Sequence, residues 1–245
     1  MTTADFSNGF DVLLNSYSKI GAFGDSMPDI RLDEYEKSLF LTQAQEDEVR
    51  SLYTGKNVYG EGFEKTEEIR RYLSTLVKEA EIEPLDEEDD HVALPTGLSS
   101  NSQFFTLPDD LWFITYEAVN VTGKTCDHTD PMEVVPVRQD EYHKIKKNPF
   151  RGTNDRRALR LDLSGGNIEV ISKYSIAIYY VRYLRKLNPI VLTALEDGVT
   201  INNVSAVTAC ELPDILHQRI LERAVMLALR SKGIGVTSQP TKEER

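Results

Sequence analysis

Apolar residues recur along the first third of the chain with the spacing of helices. Phe10, Leu13, Leu14 and Tyr17 fall at i, i+3, i+4 and i+7, one stripe of a short helix. The segment GAFGDSMPD, with Gly21, Gly24 and Pro28, interrupts it. Leu32, Tyr35 and Leu39 then predict a second helical piece. Thr42 followed by Gln45 has the form of a capping box and predicts a restart that runs through Val49 and Leu52 and stops at Gly55. Ile69, Tyr72, Leu73, Leu76, Val77 and Ala80 predict a further helix, ended by Pro84.

Beyond residue 100 the period changes. SQFFTL, LWFITYEAVNV, MEVVPV, ALRLDL, NIEVIS, IAIYYVRYL and PIVLTAL are short runs rich in aromatic and β-branched residues, the composition of strands. Ser164-Gly165-Gly166-Asn167 joins two of them with hairpin chemistry, and Asp197-Gly198 offers another tight turn. Short strands at regular spacing predict an antiparallel sheet or small barrel. A final helix follows. Pro213 and Asp214 suit its start, and Leu216, Ile220, Ala224 and Leu227 form a row thickened by Leu221, Val225 and Ala228. Arg230 and Lys232 occupy its last turn, and Gly233 supplies a stop.

The order of helices, sheet and helix predicts an α+β fold. Its expected parts are an acidic helical region over 1–85, an acidic and polar linker over 86–100, an antiparallel β region over 101–210, a C-terminal helix over 211–233 packed on the same core, and a polar tail over 234–245.

Composition adds limits. At 245 residues, with 40% hydrophobic and 28% charged residues, the chain can bury a sizeable core. Its longest apolar runs fall far short of a membrane span, so no membrane partner is expected. The start MTTADFSNGFDVLL lacks the basic and apolar regions of a secretory signal, which predicts assembly in a cytoplasm. Two cysteines, Cys126 and Cys210, are read as thiols rather than as a bridge.

Charge changes the picture more. The formal net charge is -12, and residues 1–91 hold 22 acidic against 9 basic residues, so the whole negative excess lies there. The acidic run at 86–90 reads as a solvated loop, because consecutive carboxylates point in different directions. Against that background the segment DEYHKIKKNPFRGTNDRRALRLD gathers Lys144, Lys146, Lys147, Arg151, Arg156, Arg157 and Arg160, offset within 144–160 only by Asp155.

No Walker loop, G-x-S-x-G, H-E-x-x-H or dinucleotide fingerprint occurs in the sequence, so no catalytic residue and no cofactor is predicted. Cys126, Asp127, His128 and Asp130 are close in sequence, but one thiol and one imidazole do not make a zinc set, and no metal is predicted. A Cys–His nucleophile pair would need a spatial neighbour for Cys126 or Cys210. Three uses of the basic stretch remain: a site for an anionic substrate in an enzyme, a small nucleic-acid-binding module, or a grip on an acidic partner. Its aromatics, Tyr142 and Phe150, are too few for single-strand stacking, and the acidic bulk disfavours free-standing DNA binding. The third use is preferred, with the seven cations at a subunit or partner interface.

The segments VPVRQDEYHKIKKNPFRGTNDRRALRLDL, ISKYSIAIYYVRYLRKLNPIVL and CELPDILHQRILERAVMLAL resemble the neck and tail ring proteins of crAss-like bacteriophages, head-to-tail connectors of short-tailed virions. FDVLLNSY and DEYEKSLFLTQAQEDEV are similar to them more loosely. The resemblance implies a non-enzymatic virion protein that forms a cyclic homo-oligomer, a dodecamer if it follows the portal. The implied partners are the portal protein and other neck or tail ring proteins. Viral double-stranded DNA would pass through the channel without sequence-specific binding.

Overall fold

Asp33, not Thr42, starts the second helix. In the computed structural model, which describes residues 1–20, 31–56, 60–63, 65–85, 96–123, 131–196 and 198–232, the Asp33 carboxylate accepts from Glu36 N at 2.7 Å. The Glu36 carboxylate in turn accepts from Asp33 N at 3.3 Å, completing a capping box. The helix then runs unbroken as α2, Glu34–Thr54, to a left-handed Gly55. This corrects the two-piece reading. Thr42 and Gln45 lie in the helix interior and have another task. Thr42 Oγ1 accepts from Ile190 N at 3.0 Å, Ser38 Oγ accepts from Leu192 N at 3.0 Å, and Gln45 Nε2 donates to Asn188 O at 2.9 Å. Polar side chains of α2 thus satisfy the backbone of residues 188–192, which a buried extended segment requires. That segment is the expected strand PIVLTAL. It forms only an isolated bridge, Val191 with Thr208.

The helical unit comprises residues 1–75 and the chain from 187 onward. It contains α1 (Thr3–Ile20), α2, α3 (Glu67–Leu73) and α5 (Asp214–Ser231), while the short α4 (Tyr142–Lys146) belongs to the second unit. Phe6, Phe10 and Leu14 of α1 and Leu216, Ile220, Leu221, Ala224 and Val225 of α5 are buried. Of the expected C-terminal row, Leu227 is only half-buried and Leu229 is buried in its stead. Two buried charges lace the helices. Lys37, 3% exposed, reaches Asp11 at 2.8 Å and Glu34 at 3.0 Å. Burial alone would pull its ammonium down, but the two carboxylates outweigh it and hold it above the usual lysine range. Glu48 of α2 receives Arg219 at 2.9 Å and Arg223 at 3.3 Å from α5. The C-terminal helix is therefore built into one unit with the N-terminal helices. Its apolar row is matched by those of α1 and α2.

The second unit, residues 76–186, is a seven-stranded sheet. Its strands are β1 (Val77–Ile82), β2 (Ser102–Thr106), β3 (Leu111–Thr122), β4 (Met132–Pro136), β5 (Arg157–Asp162), β6 (Asn167–Ile171) and β7 (Ser175–Arg185), in the order β1-β7-β3-β4-β5-β6-β2. β1 replaces the end of the predicted helix. After α3 and a short 3-10 turn, Ser74–Leu76, the chain pairs Val77 to Ile82 with Leu184 to Tyr179. A ladder against a buried strand outweighs helical spacing here. The Ser164 to Asn167 turn joins β5 to β6 with Gly165 and Gly166 at φ 71° and 79°, as hairpin chemistry requires.

The fold is α+β as expected, and its sheet curls into a half-barrel. β1 occupies one part of β7, while near the start of β7 the edge strand β2 reaches it through a side chain. Ile176 N donates to Gln103 Oε1 at 2.5 Å and Gln103 Nε2 donates to Ile176 O at 3.1 Å, so a glutamine amide stands in for a strand. Phe105, Val119, Met132, Val134, Val170, Tyr179 and Val181 fill the inside. One point departs from the antiparallel reading. β4 and β5 run parallel, in register Glu133 with Arg157 to Pro136 with Arg160.

Candidate interaction surface

That parallel pair explains where the basic stretch sits. Parallel neighbours cannot be joined by a hairpin, because the chain must travel back the length of a strand. Residues 137–156 are that crossover. Their one regular element is α4, Tyr142–Lys146. Tyr142, Val137 and Ile145 pack against Leu159, Leu161 and Ile171, a cluster separate from the one that fills the barrel. With Tyr142, Val137 and Ile145 packed on the sheet, the crossover turns most of its cations outward.

Lys144, Lys146, Lys147, Arg151 and Arg156 are exposed. Arg157 is half-buried and donates from Nη1 to Phe150 O at 2.8 Å. Arg160 departs from expectation. It is 8% exposed, and its Nη1 lies 2.5 Å from Glu117 Oε1 in the barrel interior, where Tyr179 Oη also donates to Glu117 Oε2 at 2.7 Å. The cause is strand parity: Ala158 and Arg160 face inward while Leu159 and Leu161 face α4. Arg160 is thus buried in the sheet unit and paired with Glu117, unlike the exposed cations of the stretch. Asp162 Oδ1, 3.1 Å from Arg160 Nε, adds a partly solvated anion.

The loop after α4 is tightly built. Asn148 Oδ1 accepts from Phe150 N at 2.9 Å and Arg151 N at 3.3 Å, an Asx turn. Gly152 N donates to Asn148 O at 2.8 Å, and Asn148 N to Ile145 O at 2.9 Å. A Cβ on the buried Gly152 would sit 3.0 Å from Asn148 O and 3.3 Å from Ile145 O, so glycine is required by close approach. Asp155, the one acid of the stretch, is engaged by Lys173 at 2.7 Å and by Tyr174 Oη at 2.9 Å, just before β7.

Burial shifts Glu117, Tyr179 and Tyr183 of the sheet unit. Desolvation lifts the Glu117 carboxyl above the usual range despite Arg160, and burial together with the Glu117 charge pushes the Tyr179 phenol far up. The Tyr183 phenol, buried and donating to Asp110 at 2.9 Å, is pushed up to about 12. A folded value raised above the unfolded 10 gives stability that is complete below pH 10 and is lost as pH rises toward 12. The denaturation midpoint of the wild type should therefore fall more steeply across that window than that of Tyr183→Phe. Equal slopes would show that Tyr183 does not carry the dependence.

Other chemistry is not assembled. Cys210 is a free thiol pushed up to about 11 by burial, so it is protonated and a weak nucleophile near neutrality. His143 is exposed on α4, and His217 is buried with Nε2 2.8 Å from Leu212 O. Residues 126–130, His91 and the 86–90 acidic run lie outside the described residues. Among the described residues no three His, Cys, Asp or Glu side chains come together as a metal set, and no helix is long and apolar enough to cross a membrane.

Within the sheet unit the buried Arg160 is paired with Glu117, while most cations of the crossover are exposed. Comparison with known proteins identifies the family. The family described as phage tail ring protein 3/4 matches residues 1–240. "Ring protein 3" of Bacteroides phage crAss001 is 46% identical over 235 residues, covering 95% of this chain and 96% of that protein. "Ring protein 4/5" of the same phage is 33% identical over 238 residues, covering 93% and 92%. The chain belongs to the phage tail ring protein 3/4 family and is a structural ring protein of the virion.

Proposed function

We propose that this protein closes into a cyclic homo-oligomer, a dodecamer in step with the portal, and serves as a connector ring between capsid and tail around the DNA exit channel. The observation that carries the reading is the full-length kinship with ring proteins, 46% identity over 95% of the chain. Charge supports it. A ring joins one surface of a subunit to a different surface of the next, and this chain supplies unlike surfaces: acid surplus in residues 1–91 and exposed cations on the crossover. The remaining negative excess would also let duplex DNA pass without sticking, since non-specific affinity comes from neutralising phosphates. Assembly would take place in the bacterial cytoplasm, beside the portal and other ring proteins. No turnover belongs to this role, and a cofactor recovered stoichiometrically with the purified protein would overturn that part.

The test reverses charge where it is exposed. Lys147→Glu with Arg151→Glu should leave the melting temperature within a degree or two, as surface changes do, and reduce incorporation into tails severalfold. Intact particles together with lost duplex binding by the isolated chain would assign the cations to DNA instead.

A further inference from the structure

Phe150 lies between the exposed Lys147 and Arg151 in the chain and is itself 85% exposed. The fold does not leave it there by neglect. Asn148 fixes the backbone amides of Phe150 and Arg151, Arg157 holds the Phe150 carbonyl at 2.8 Å, and Gly152 permits the close turn that follows. An aromatic ring on a loop already hydrogen-bonded into shape loses little further backbone freedom on docking. Exposed aromatic residues and arginine are also the residues enriched at protein interfaces.

We infer that Phe150 is the apolar anchor by which the crossover docks into the helical unit of a neighbouring copy of the same chain. This rests on the proposed ring. The occupant is argued from complementarity. The cations next to Phe150 in the chain, Lys147 and Arg151, call for an acidic rim, and the helical unit, residues 1–75 and 187–245, holds 21 acidic against 14 basic residues. The same helical unit displays apolar side chains among its acids: Tyr35 and Leu39 beside Glu36 on α2, Val12 beside Asp11 on α1, and Ile215 beside Asp214 on α5. Steering comes from the charges, and retention from the ring.

The experiment places photoreactive p-benzoylphenylalanine at position 150 of the full chain in assembled tails and maps the cross-linked peptides. Cross-links to residues of the helical unit in a second copy are expected. Cross-links only to a different protein, only to DNA, or none, overturn the inference. Phe150→Ala should weaken incorporation on the order of ten-fold or more, as loss of a hot spot does, with melting unchanged because the ring is exposed. Phe150→Trp should restore most of it. If charge reversal impairs incorporation while Phe150→Ala is silent, the anchor fails and the ring reading stands. If both are silent, the contact surface fails as well.

Discussion

Arg160→Ala should destabilise the sheet unit by about 3–5 kcal/mol, the cost of leaving one member of a buried ion pair alone. Glu117 would then keep its hydrogen bond from Tyr179 but lose the cation that partly offsets its desolvation. The variant should also acquire a pH signature. In the wild type Glu117 already titrates above its unfolded 4.5 because burial outweighs Arg160. Removing the cation raises the folded value further. A raised folded value favours the fold at low pH, so Arg160→Ala should be relatively most stable below 4.5 and lose stability as pH climbs through the new folded value. Replacing both residues with apolar ones of similar volume, Glu117→Met with Arg160→Met, should recover most of the loss, since no charge is left unpaired. Urea denaturation of the wild type and the two variants at two pH values is the check. An Arg160→Ala protein that unfolds at the wild-type midpoint would show that the interior tolerates a lone carboxylate.

Ile220→Ala in α5 should cost about 2–5 kcal/mol, the transfer loss of a buried side chain plus the cavity left behind. Ile220 is fully buried and Leu221 nearly so. Leu221 is also in close contact with α1, as a Cβ on Gly9 would lie 2.8 Å from Leu221 Cδ2. The matching control is Leu227→Ala at the half-buried position, which should lose distinctly less. Thermal unfolding of the isolated full chain separates the two. Equal small losses would mean that α5 gains its packing only within the assembled ring.

Much of this was legible along the chain. α1 and α5 announced themselves by the spacing of their apolar residues, α2 only as two separate pieces, and the Ser164 to Asn167 turn by its glycines. The cations of the crossover were visible as composition. Which of them face water was not, because β5 is apolar on both faces: Leu159 and Leu161 mark one, Ala158 the other, and the parity that turns Arg160 inward is set by the barrel. Glu117 and Tyr179 gave no signal in sequence, being one acid and one phenol in separate strands. Phe150 was visible but counted only as a stray aromatic.

The sequence alone determined the α+β class, the positions of the strong helices, the segregation of charge and the kinship with ring proteins. Each of these depends on local periodicity, composition or a contiguous string of residues. Tertiary structure decided the rest. It turned Val77–Ile82 from helix to strand, made Thr42 and Gln45 clamps for residues 188–192, joined β4 and β5 in parallel and so placed the basic stretch outside the barrel, and hid Arg160 while presenting Phe150. These outcomes depend on partners far away in the chain. A hydrogen bond or a buried face has no value in a sequence until the residue that satisfies it has been brought alongside.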